Sequence, residues 1–411
     1  MTIDGTSVVK VAEIEGRGRG MVASQLLRAG QVVLRDSPIL LYSALPFIKQ
    51  PQDHFPNSLF CDHCFKLLCL PQSSVTQCSC CSHHVFCSPN CLTLAQASSH
   101  SPWVCHSMTR LRSCCSAFLN QPPERQIQAR FLIAAFNLAL VSPSDFQILL
   151  SLHGLDSPSD AATTHFLHSL ISSLCISQMQ GGGEFPSFSL ELTAALLAKD
   201  KLNAFGLMEP FSFPDQQGQG QRSVRAYGIY PMASFFNHDC LPNACRFDYV
   251  DSATDHNTDI IIRMIHDVSQ GREICLSYFP VNLGYSSRQK RLLGDYGFTC
   301  DCDRCKVEAN WSDDENDDQE GIAEEVMDED EDEDQQMAAE DGPVGGDSDF
   351  PHAYFFLRYM CNRENCWGTL APLPPSDATP SSFLECNVCG NLKQEEDIDG
   401  DQGDGNSSMD D

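Results

Sequence analysis

Short apolar runs, broken by glycine and polar turns, dominate the amino-terminal and central parts of the chain. VVKVAEIE (residues 8–15) alternates apolar and polar side chains, and QVVLRDSPILL (residues 31–41) is largely apolar. Both patterns are typical of short strands, and GRGRG (residues 16–20) predicts a turn between them. Four further strands are predicted in AYGIYPMASFF, ACRFDYV, DIIIRMIHDV and REICLSYF. The pattern therefore predicts a compact core of short strands, and not a parallel sheet of alternating strands and helices.

A helical periodicity fills the region between these two sets of strands. Residues 125–141 carry Ile127, Phe131, Ala134, Leu138 and Val141 at helical spacing, and residues 160–178 carry Phe166, Leu170, Ile171 and Leu174. A third helix is predicted in SSRQKRLLGDYG (residues 286–297). We interpret residues 111–200 as a helical insertion with a structural role in a core that is otherwise built of strands.

The acidity of the chain is concentrated in two segments. Of its 56 Asp and Glu residues, 17 lie in residues 313–341, which hold no Lys or Arg, and 8 lie in residues 395–411. The remainder has 31 acids against 26 bases, so the portion that can fold is nearly neutral. Apolar residues are sparse in both acidic segments, and we predict a disordered linker and a disordered tail. Because we find neither a signal peptide nor an apolar run of membrane-spanning length, we expect a soluble intracellular protein.

The chain holds 22 cysteines, and clustered cysteines in a reducing compartment more often bind metal than form disulfides. The first cluster comprises CDHC, CSCC and FCSPNC, followed by His100 and Cys105. Its spacing is similar to that of a MYND zinc finger, in which ligand pairs interleave around two ions. That resemblance implies one site of Cys61, Cys64, Cys87 and Cys91 and another of Cys78, Cys81, His100 and Cys105. Four residues separate His100 from Cys105, where the family usually has three, so His106 and Cys80 stay open as alternative ligands.

The second cluster lies in FTCDCDRC, which contains Cys300, Cys302 and Cys305. Zinc takes four ligands in a tetrahedron, so three thiolates leave one position to fill. Cys240, in the polar stretch SFFNHDCLPN (residues 234–243), is the obvious fourth ligand. We therefore predict that a zinc ion joins the later cysteines to this stretch.

Several motifs in order resemble those of one enzyme family. NHDCLPN (residues 237–243) resembles the NHxCxPN signature of SET-domain lysine methyltransferases, and GREICLSYF (residues 271–279) resembles the later SET motif that ends in the catalytic tyrosine. The Cys-x-Cys-x2-Cys tail resembles the post-SET element, and EGRGRGMVAS (residues 15–24) resembles the glycine-rich opening of the SET core. With the finger inserted, the order over residues 8–306 is similar to that of SET-and-MYND lysine methyltransferases. The resemblance implies a mainly β SET core of short, threaded strands with a helical insertion, a MYND-type zinc finger insertion and a post-SET zinc site.

The resemblance also implies the roles of individual residues. Tyr278 would be the catalytic tyrosine, whose hydroxyl orients the incoming amine and the methyl group. The methyl donor, S-adenosylmethionine, would contact Arg17, Gly18, Arg19, Asn203, Ser234, Asn237, His238, Tyr278, Tyr296 and Phe298. Of these, Tyr296 and Phe298 would also line the channel for the lysine. Aromatic walls suit that channel because they attract an ammonium group through cation–π interactions.

A third cluster follows the acidic linker and comprises Cys361, Cys366, Cys386 and Cys389. Gly390 after the second pair suits a zinc knuckle, and TLAPL (residues 369–373) predicts a strand between the pairs. We predict a small carboxy-terminal zinc ribbon. The best-known SET-and-MYND enzymes instead close the substrate cleft with a long carboxy-terminal helical domain, for which too few residues follow the linker here.

We divide the chain accordingly. The predicted units are the amino-terminal portion of the SET core (residues 1–50), the MYND-type finger (51–110), the helical insertion (111–200), the SET catalytic core (201–298), the post-SET element (299–306), the acidic linker (307–349), the zinc ribbon (350–393) and the acidic tail (394–411).

The function predicted by the resemblance is methyl transfer from S-adenosylmethionine to a protein lysine, with a histone as the default substrate and nuclear chromatin as the default location. The cytoplasm is an additional location. The alternative is an inactive SET and MYND adaptor that depends on zinc and docks proline-containing peptides of transcriptional partners. The finger is a site for such peptides in either case. Sequence-specific DNA binding is disfavoured because no basic stripe accompanies the zinc motifs. The cofactors expected are S-adenosylmethionine and zinc.

Overall fold

The structure is a computed structural model of the 411-residue chain. It describes residues 7–47, 59–68, 75–81, 83–114, 116–155, 161–173, 188–209, 222–249, 251, 256–310, 353–364, 366–375 and 381–395. The acidic stretch 313–341 and nearly all of the acidic tail therefore lie outside the described residues, and their predicted disorder stays a prediction.

Short strands are the most numerous elements among the described residues. They are β1 Val9–Ile14, β2 Gly18–Ala23, β3 Val32–Asp36, β4 Leu40–Ser43, β5 Leu59–Phe60, β6 Leu67–Leu68, β7 Thr76–Gln77, β8 Val85–Phe86, β9 Ala204–Met208, β10 Val224–Ile229, β11 Asn237–His238, β12 Ala244–Phe247, β13 Ile260–Met264, β14 Glu273–Leu276, β15 Leu370–Pro372, β16 Phe383–Cys386 and β17 Leu392–Gln394. None exceeds six residues, which agrees with the predicted core of short strands.

The helices form a separate group between β8 and β9, with three more and a π-helical turn towards the carboxyl end. They are α1 Pro89–Ala97, α2 Pro102–Cys114, α3 Ser116–Leu119, α4 Pro123–Val141, α5 Pro143–Ser151, α6 Ala161–Ile171, α7 Leu190–Asn203, α8 Tyr285–Arg291, α9 Asp303–Glu308 and α10 Ala353–Tyr359. A 3-10 turn spans Ala233–Phe235, and the π-helical turn spans Leu292–Tyr296. Among the described residues, no helix combines the length and apolarity that a membrane crossing requires.

Three small sheets make up the strand-built core. Their strand orders are β1-β2-β14-β11, β4-β10-β9 and β12-β13-β3. In the first sheet, β11 runs parallel to β14, with Asn237 opposite Cys275 and His238 opposite Leu276. This pairing places the NHDC motif directly beside the GREICLSY motif, although the two lie far apart in the sequence. The SET fold class predicted from the motifs is confirmed by these short strands and by the family match reported below.

The strand predictions need two corrections near the amino terminus. QVVLRDSPILL forms two strands, because β3 ends at Asp36 and β4 begins at Leu40. Pro38 lies between them and has no backbone N–H to donate to a strand partner. The buried carboxylate of Asp36 accepts hydrogen bonds from the backbone N–H groups of Met232 and Ala233, each at 2.8 Å. The predicted turn GRGRG is also shorter than expected, because β2 already begins at Gly18 and pairs with β1.

The helical insertion has its own apolar core. The predicted helix over residues 125–141 is α4, which contributes buried side chains along most of its length, including Phe131, Leu132 and Phe136. The helix predicted over residues 160–178 corresponds to α6, which spans Ala161–Ile171. Residues 174–178 of the prediction lie outside the described residues. The predicted third helix begins as α8 and changes to the π-helical turn at Leu292. The core of the insertion is continuous with β4 and β10 through Leu40, Tyr42 and Ile229.

Candidate active site and metal centres

Most cysteines of the described residues, together with His100, form four compact groups. The groups are Cys61, Cys64, Cys87 and Cys91; Cys78, Cys81, His100 and Cys105; Cys240, Cys300, Cys302 and Cys305; and Cys361, Cys366, Cys386 and Cys389. Within each group, the four ligand atoms lie within 4.8 Å of one another. These are the four ligand sets that the sequence predicted.

The sulfur–sulfur distances in these groups fit zinc and exclude disulfides. Thiolates at about 2.3 Å from a tetrahedral zinc ion lie about 3.8 Å apart. The Sγ atoms are 3.6 Å apart for Cys61 and Cys91, 3.5 Å for Cys240 and Cys305, and 3.7 Å for Cys366 and Cys386. A disulfide bond is only about 2.0 Å long, and these cysteines are unpaired. Each group therefore offers the donors and the spacing of a structural zinc site.

His100 belongs to the second finger group, although its spacing to Cys105 is unusual for the family. Its Nε2 atom lies 3.7 Å from the Sγ atom of Cys81. The two alternatives left open, Cys80 and His106, are exposed and lie outside the group. The sequence analysis did not predict a role for a further histidine, His84. Its Nδ1 atom is 3.2 Å from the Sγ atom of Cys81. An N–H group at that distance stabilises a thiolate ligand.

The group around Cys240 is held by a buried arginine. The Nε atom of Arg288 is 3.2 Å from the Sγ atom of Cys240, and its Nη2 atom is 3.5 Å from that of Cys305. Arg288 is fully buried and also pairs with Glu308 at 2.6 Å. Four thiolates around one zinc ion carry two negative charges, so a buried guanidinium compensates some of that charge. The tail is thereby fixed against β11.

His238 connects this metal group to Tyr278. The backbone N–H of Tyr278 donates to Nδ1 of His238 over 3.2 Å, so Nδ1 is the unprotonated ring nitrogen. Burial lowers the pKa of His238 to about 3, and the ring is therefore neutral with its proton on Nε2. Nε2 lies 3.3 Å from the Sγ atom of Cys240 and donates to it. One side chain thus joins the predicted zinc ligand to the predicted catalytic residue.

Tyr278 is half-buried and packs against aromatic neighbours. Its hydroxyl donates to the carbonyl oxygen of Phe236 over 3.0 Å, and its ring centroid is 4.9 Å from that of Tyr296. Burial, together with the neighbouring Tyr296, raises the pKa of Tyr278, so the phenol stays protonated at neutral pH. A protonated hydroxyl of this kind can orient other groups by hydrogen bonding.

The predicted donor-binding residues Arg17 and Asn237 meet at a carboxylate that the sequence analysis missed. Glu273 accepts from Nη1 of Arg17 at 2.7 Å through one oxygen and from Nδ2 of Asn237 at 2.7 Å through the other. Arg17 also donates to the carbonyl oxygen of His238. A Cβ atom at Gly20 would lie 2.7 Å from Glu273 and 2.8 Å from Asn237, so only glycine permits this close approach.

The other predicted donor-binding residues have different surroundings. Arg19 donates to the carbonyl oxygen of Ser151 and lies over the ring of Phe235, and the hydroxyl of Ser234 donates to the carbonyl oxygen of Tyr230. The amide of Asn203 donates to the carbonyl oxygens of His153 and Lys199, which ties α7 to the end of α5.

Gly18 and Phe298 complete the predicted set. Gly18 has φ +70° with open space around it. The ring of Phe298 lies 6.5 Å from that of His238 and is 38% exposed. The contacts of all these residues with a donor stay predictions.

A cavity of about 320 Å³ is lined in part by Tyr278. Its lining from the SET core includes Phe236, Ser277, Tyr278, Phe279 and Tyr296. Tyr278 therefore contacts both regions, because it lines this cavity and its backbone N–H donates to His238, whose carbonyl oxygen accepts from Arg17. A residue in contact with both regions suits a reaction between a polar donor and a long, narrow acceptor side chain.

Comparisons with known proteins identify the family of the chain. The SET domain family matches residues 18–279. The Arabidopsis thaliana protein named histone-lysine N-methyltransferase ASHR2 is 59% identical over 405 residues, 95% of this chain and 96% of that protein. The chain therefore belongs to the SET domain family.

A more distant relative is also similar to this chain. The human protein named histone-lysine N-methyltransferase SMYD3 is 26% identical over 293 residues, 71% of this chain and 60% of that protein. With the ASHR2 match, it confirms the predicted SET-and-MYND membership. A solved structure of the SET domain of LSMT, bound to lysine and AdoHcy, aligns at 13% identity over 72% of this chain and 54% of that chain, with a TM-score of 0.35. That similarity is too weak to support any argument about this site.

Proposed function

We propose that the chain transfers a methyl group from S-adenosylmethionine to the side-chain amine of a lysine in a protein substrate. The reaction class predicted from the sequence is confirmed by membership of the SET domain family and by the 59% identical relative. The observation that carries the assignment to particular residues is the position of Tyr278. Tyr278 lines the aromatic cavity, its hydroxyl donates to Phe236, and its backbone N–H donates to His238, whose carbonyl oxygen accepts from Arg17.

The polar side suits the donor. When bound, S-adenosylmethionine supplies a methyl group on a positively charged sulfur. Arg17, 34% exposed in its side chain, would bind the donor's carboxylate through the N–H groups that Glu273 leaves free. Asn237 is held in place by Glu273 and would contact the donor through its carbonyl oxygen. His238 fixes the backbone at Tyr278.

The aromatic side suits the lysine. A free lysine amine has a pKa of about 10.4, and transfer requires the neutral amine. Phe236, Tyr278 and Tyr296 exclude water from the channel, and an apolar channel lowers the lysine pKa because burial disfavours the charged form. The protonated phenol of Tyr278 then orients the amine towards the methyl group. Correct alignment of two reacting groups supplies much of the acceleration of such a displacement.

We propose a histone lysine as the substrate, by analogy with the name of the 59% identical relative. Histone tails are basic, and the acidic stretch 313–341 would attract them through long-range electrostatics. The proposed location is accordingly nuclear chromatin, with the cytoplasm as an additional location. The finger is proposed to bind a proline-containing peptide of a partner, and direct sequence-specific DNA binding is not expected.

The test is methyl transfer by the purified full-length chain. We would incubate it with methyl-labelled S-adenosylmethionine and recombinant core histones, and identify modified residues by mass spectrometry. The proposal predicts label on lysine side chains and on no other residue type. Transfer to a proteome extract but not to histones would retain the enzyme and reject the histone. A fully zinc-loaded protein that binds no donor in calorimetry would reject the enzyme and favour the adaptor.

A further inference from the structure

The aromatic cavity beside Tyr278 has a second wall that comes from the zinc ribbon. In addition to the SET residues already described, Trp367, Thr369, Asn387 and Val388 line it. Thr369 and Asn387 are joined by a hydrogen bond from the Thr369 N–H to Oδ1 of Asn387 at 2.9 Å. The wall therefore consists of two segments of the ribbon that are locked together. It lines the same cavity as Tyr296, which the resemblance assigned to the lysine channel.

The ribbon is held rigidly enough on the SET core to serve as a wall. Arg263 on β13 pairs with Glu385 on β16 at 2.9 Å, with side-chain exposures of 2% and 11%. The hydroxyl of Tyr249 donates to the same Glu385 oxygen at 2.7 Å. Near this ion pair, a Cβ atom at Gly30 would lie 2.4 Å from the carbonyl oxygen of Leu373, which shows how closely the ribbon approaches the core.

Apolar contacts reinforce this attachment. Phe355 and Tyr359 on α10 and Ala371 on β15 are buried in one cluster with Phe247 and Ile261 of the SET core. The buried apolar surface and the buried ion pair together fix the orientation of the ribbon. If the ribbon moved away from the core, apolar side chains would be exposed to water and the buried ion pair would be broken.

Trp367 is the large apolar side chain on this wall, and it is 38% exposed. Its neighbours in sequence fix its backbone, because Cys366 belongs to the ribbon metal group and Gly368 packs against Cys386. A Cβ atom at Gly368 would lie only 2.3 Å from the Sγ atom of Cys386. A half-exposed tryptophan on a fixed backbone beside a cavity is typical of residues that contribute most to binding.

The charges around the cavity indicate what can bind there. Of the described residues that line it, Arg246 carries a charge and none is a carboxylate. Arg246 donates to the carbonyl oxygen of Gly206 at 2.6 Å, which holds its guanidinium at the edge of the cavity. A substrate with Lys or Arg next to the target lysine would bring that positive charge close to Arg246. None of the described lining residues is a carboxylate that could offset the repulsion.

We propose that the ribbon forms one wall of the substrate cleft and that Trp367 contacts a large apolar residue flanking the target lysine, while Arg246 disfavours Lys or Arg at that position. This inference rests on the proposed function, because it selects among the lysines of a protein substrate. Trp367 acts as a specificity residue and takes no role in the chemistry at the methyl group.

The test uses the full chain and a peptide library with one fixed lysine, in which each flanking position is varied over all residue types. Label from the donor measures kcat/KM for each peptide. For the wild type we expect a large apolar residue to be favoured over Lys or Arg at one flanking position by about tenfold or more. In Trp367→Ala this preference should fall to about twofold through KM, with donor affinity and zinc content unchanged.

Two further variants make the outcome specific. Phe383→Ala removes an aromatic side chain from the same ribbon with a similar exposure of 42%, but away from the cavity, and should behave as the wild type. Trp367→Phe should restore most of the preference. An unchanged preference in Trp367→Ala, or an equal loss on every peptide in both Trp367 variants, would overturn the inference while leaving the enzyme intact. A wild type that labels no peptide and no protein would overturn the proposed function, and this inference with it.

Discussion

At the scale of single residues, His238 has two partners that constrain it at once. It accepts from the backbone of Tyr278 and donates to the thiolate of Cys240, and both bonds require the neutral ring with its proton on Nε2. The pKa lowered by burial keeps the ring in that state at neutral pH. The position of Tyr278 is therefore coupled to the cysteine group through one imidazole. An adjacent Asn–His pair in the sequence does not by itself indicate this coupling.

Arg17 offers the first test at this scale. Arg17→Gln removes the charge proposed to bind the donor's carboxylate, and hydrogen bonds to charged groups contribute about 1.5–3 kcal/mol. We expect the affinity for S-adenosylhomocysteine, measured by calorimetry, to fall about tenfold or more. Arg28→Gln is the matched control, since Arg28 makes a surface ion pair with Asp267 at 2.7 Å. Equal donor affinity in the two variants would place the carboxylate elsewhere.

The residues that the sequence could reveal are those with a characteristic local spacing. The metal groups were predictable because cysteine pairs at short intervals in a reducing compartment are typical of metal ligands. Glu273, Arg288 and Trp367 were not predictable, because each acts through partners that are distant in the sequence. Glu273, for instance, meets Arg17 across 256 positions. Although Glu273 lies within the GREICLSYF motif, its local sequence does not indicate these partners.

At the scale of elements, β11 is held by strand β14 on one side and by the cysteine-containing tail that follows α8. It pairs in parallel with β14, and Cys240 follows it by two residues and joins the tail that contains Cys300, Cys302 and Cys305. Only two residues long, β11 has too few ladder bonds to be stable alone. The metal group therefore stabilises the strand that carries two of the proposed donor-binding residues.

Cys240→Ser tests that role. Removing one ligand should lower the zinc content by one ion per chain and loosen the segment that carries Tyr296 and Phe298. Donor affinity and methyl transfer should then be lost together. Cys80→Ser is the control, because Cys80 is exposed and lies outside the metal groups. Full zinc content together with full donor affinity in Cys240→Ser would show that this cysteine does not secure the tail.

The contact between β4 and α7 gives a pH-dependent prediction. Tyr42 donates to the buried carboxyl of Asp200, and burial raises the pKa of Asp200 to about 7. The unfolded value is about 3.9, so this group favours the folded state only at low pH. Its contribution declines as the pH rises from about 4 to 7, because the folded protein must then bury a charge.

Asp200→Asn cannot ionise and keeps an oxygen for Tyr42. Thermal unfolding at about pH 6 and about pH 8 should therefore show that the Tm advantage of Asp200→Asn over the wild type is larger at the higher pH. Asp295→Asn, at a carboxylate with 54% exposure, corrects for the loss of one charge. A larger advantage at the lower pH would contradict the raised pKa.

Element predictions succeeded where periodicity was regular and failed where glycine or proline dominated. The apolar spacing of α4 was sufficient to identify it. By contrast, β2 begins in a glycine-rich stretch that is typical of a turn, and it becomes a strand only because β1 and β14 pair with it on either side. Tertiary pairing overrides local propensity in such cases.

At the scale of the whole molecule, four metal groups occur in three places: two in the finger, one between the core and its tail, and one in the ribbon. The ribbon has a very small apolar core, built mainly of Leu370, Leu384 and the cysteines themselves. Structural zinc contributes about 10–16 kcal/mol of apparent binding free energy in small finger peptides. A unit of this size therefore depends on its metal to fold. The docking of the ribbon was not predicted, since Arg263 and Glu385 lie on opposite sides of the acidic stretch.

Elemental analysis of freshly purified protein should accordingly return four zinc ions per chain, one for each group. Cys389→Ser should return one ion fewer, with the ribbon more readily cleaved by protease and the donor affinity preserved. A wild-type value below four would contradict the assignment of at least one group. Loss of donor affinity in Cys389→Ser would contradict the separation of the ribbon from the donor site.

The central claim is that the hydroxyl of Tyr278 orients the reacting amine in a lysine methyltransferase. Its most direct test is single-turnover transfer of labelled methyl from S-adenosylmethionine to lysine by the wild type and by Tyr278→Phe. Removing one well-placed polar group from a transition state typically costs a factor of about 10²–10³ in rate. We predict a decrease of about a hundredfold or more, with donor affinity and zinc content unchanged. Transfer at the wild-type rate by Tyr278→Phe would contradict the account.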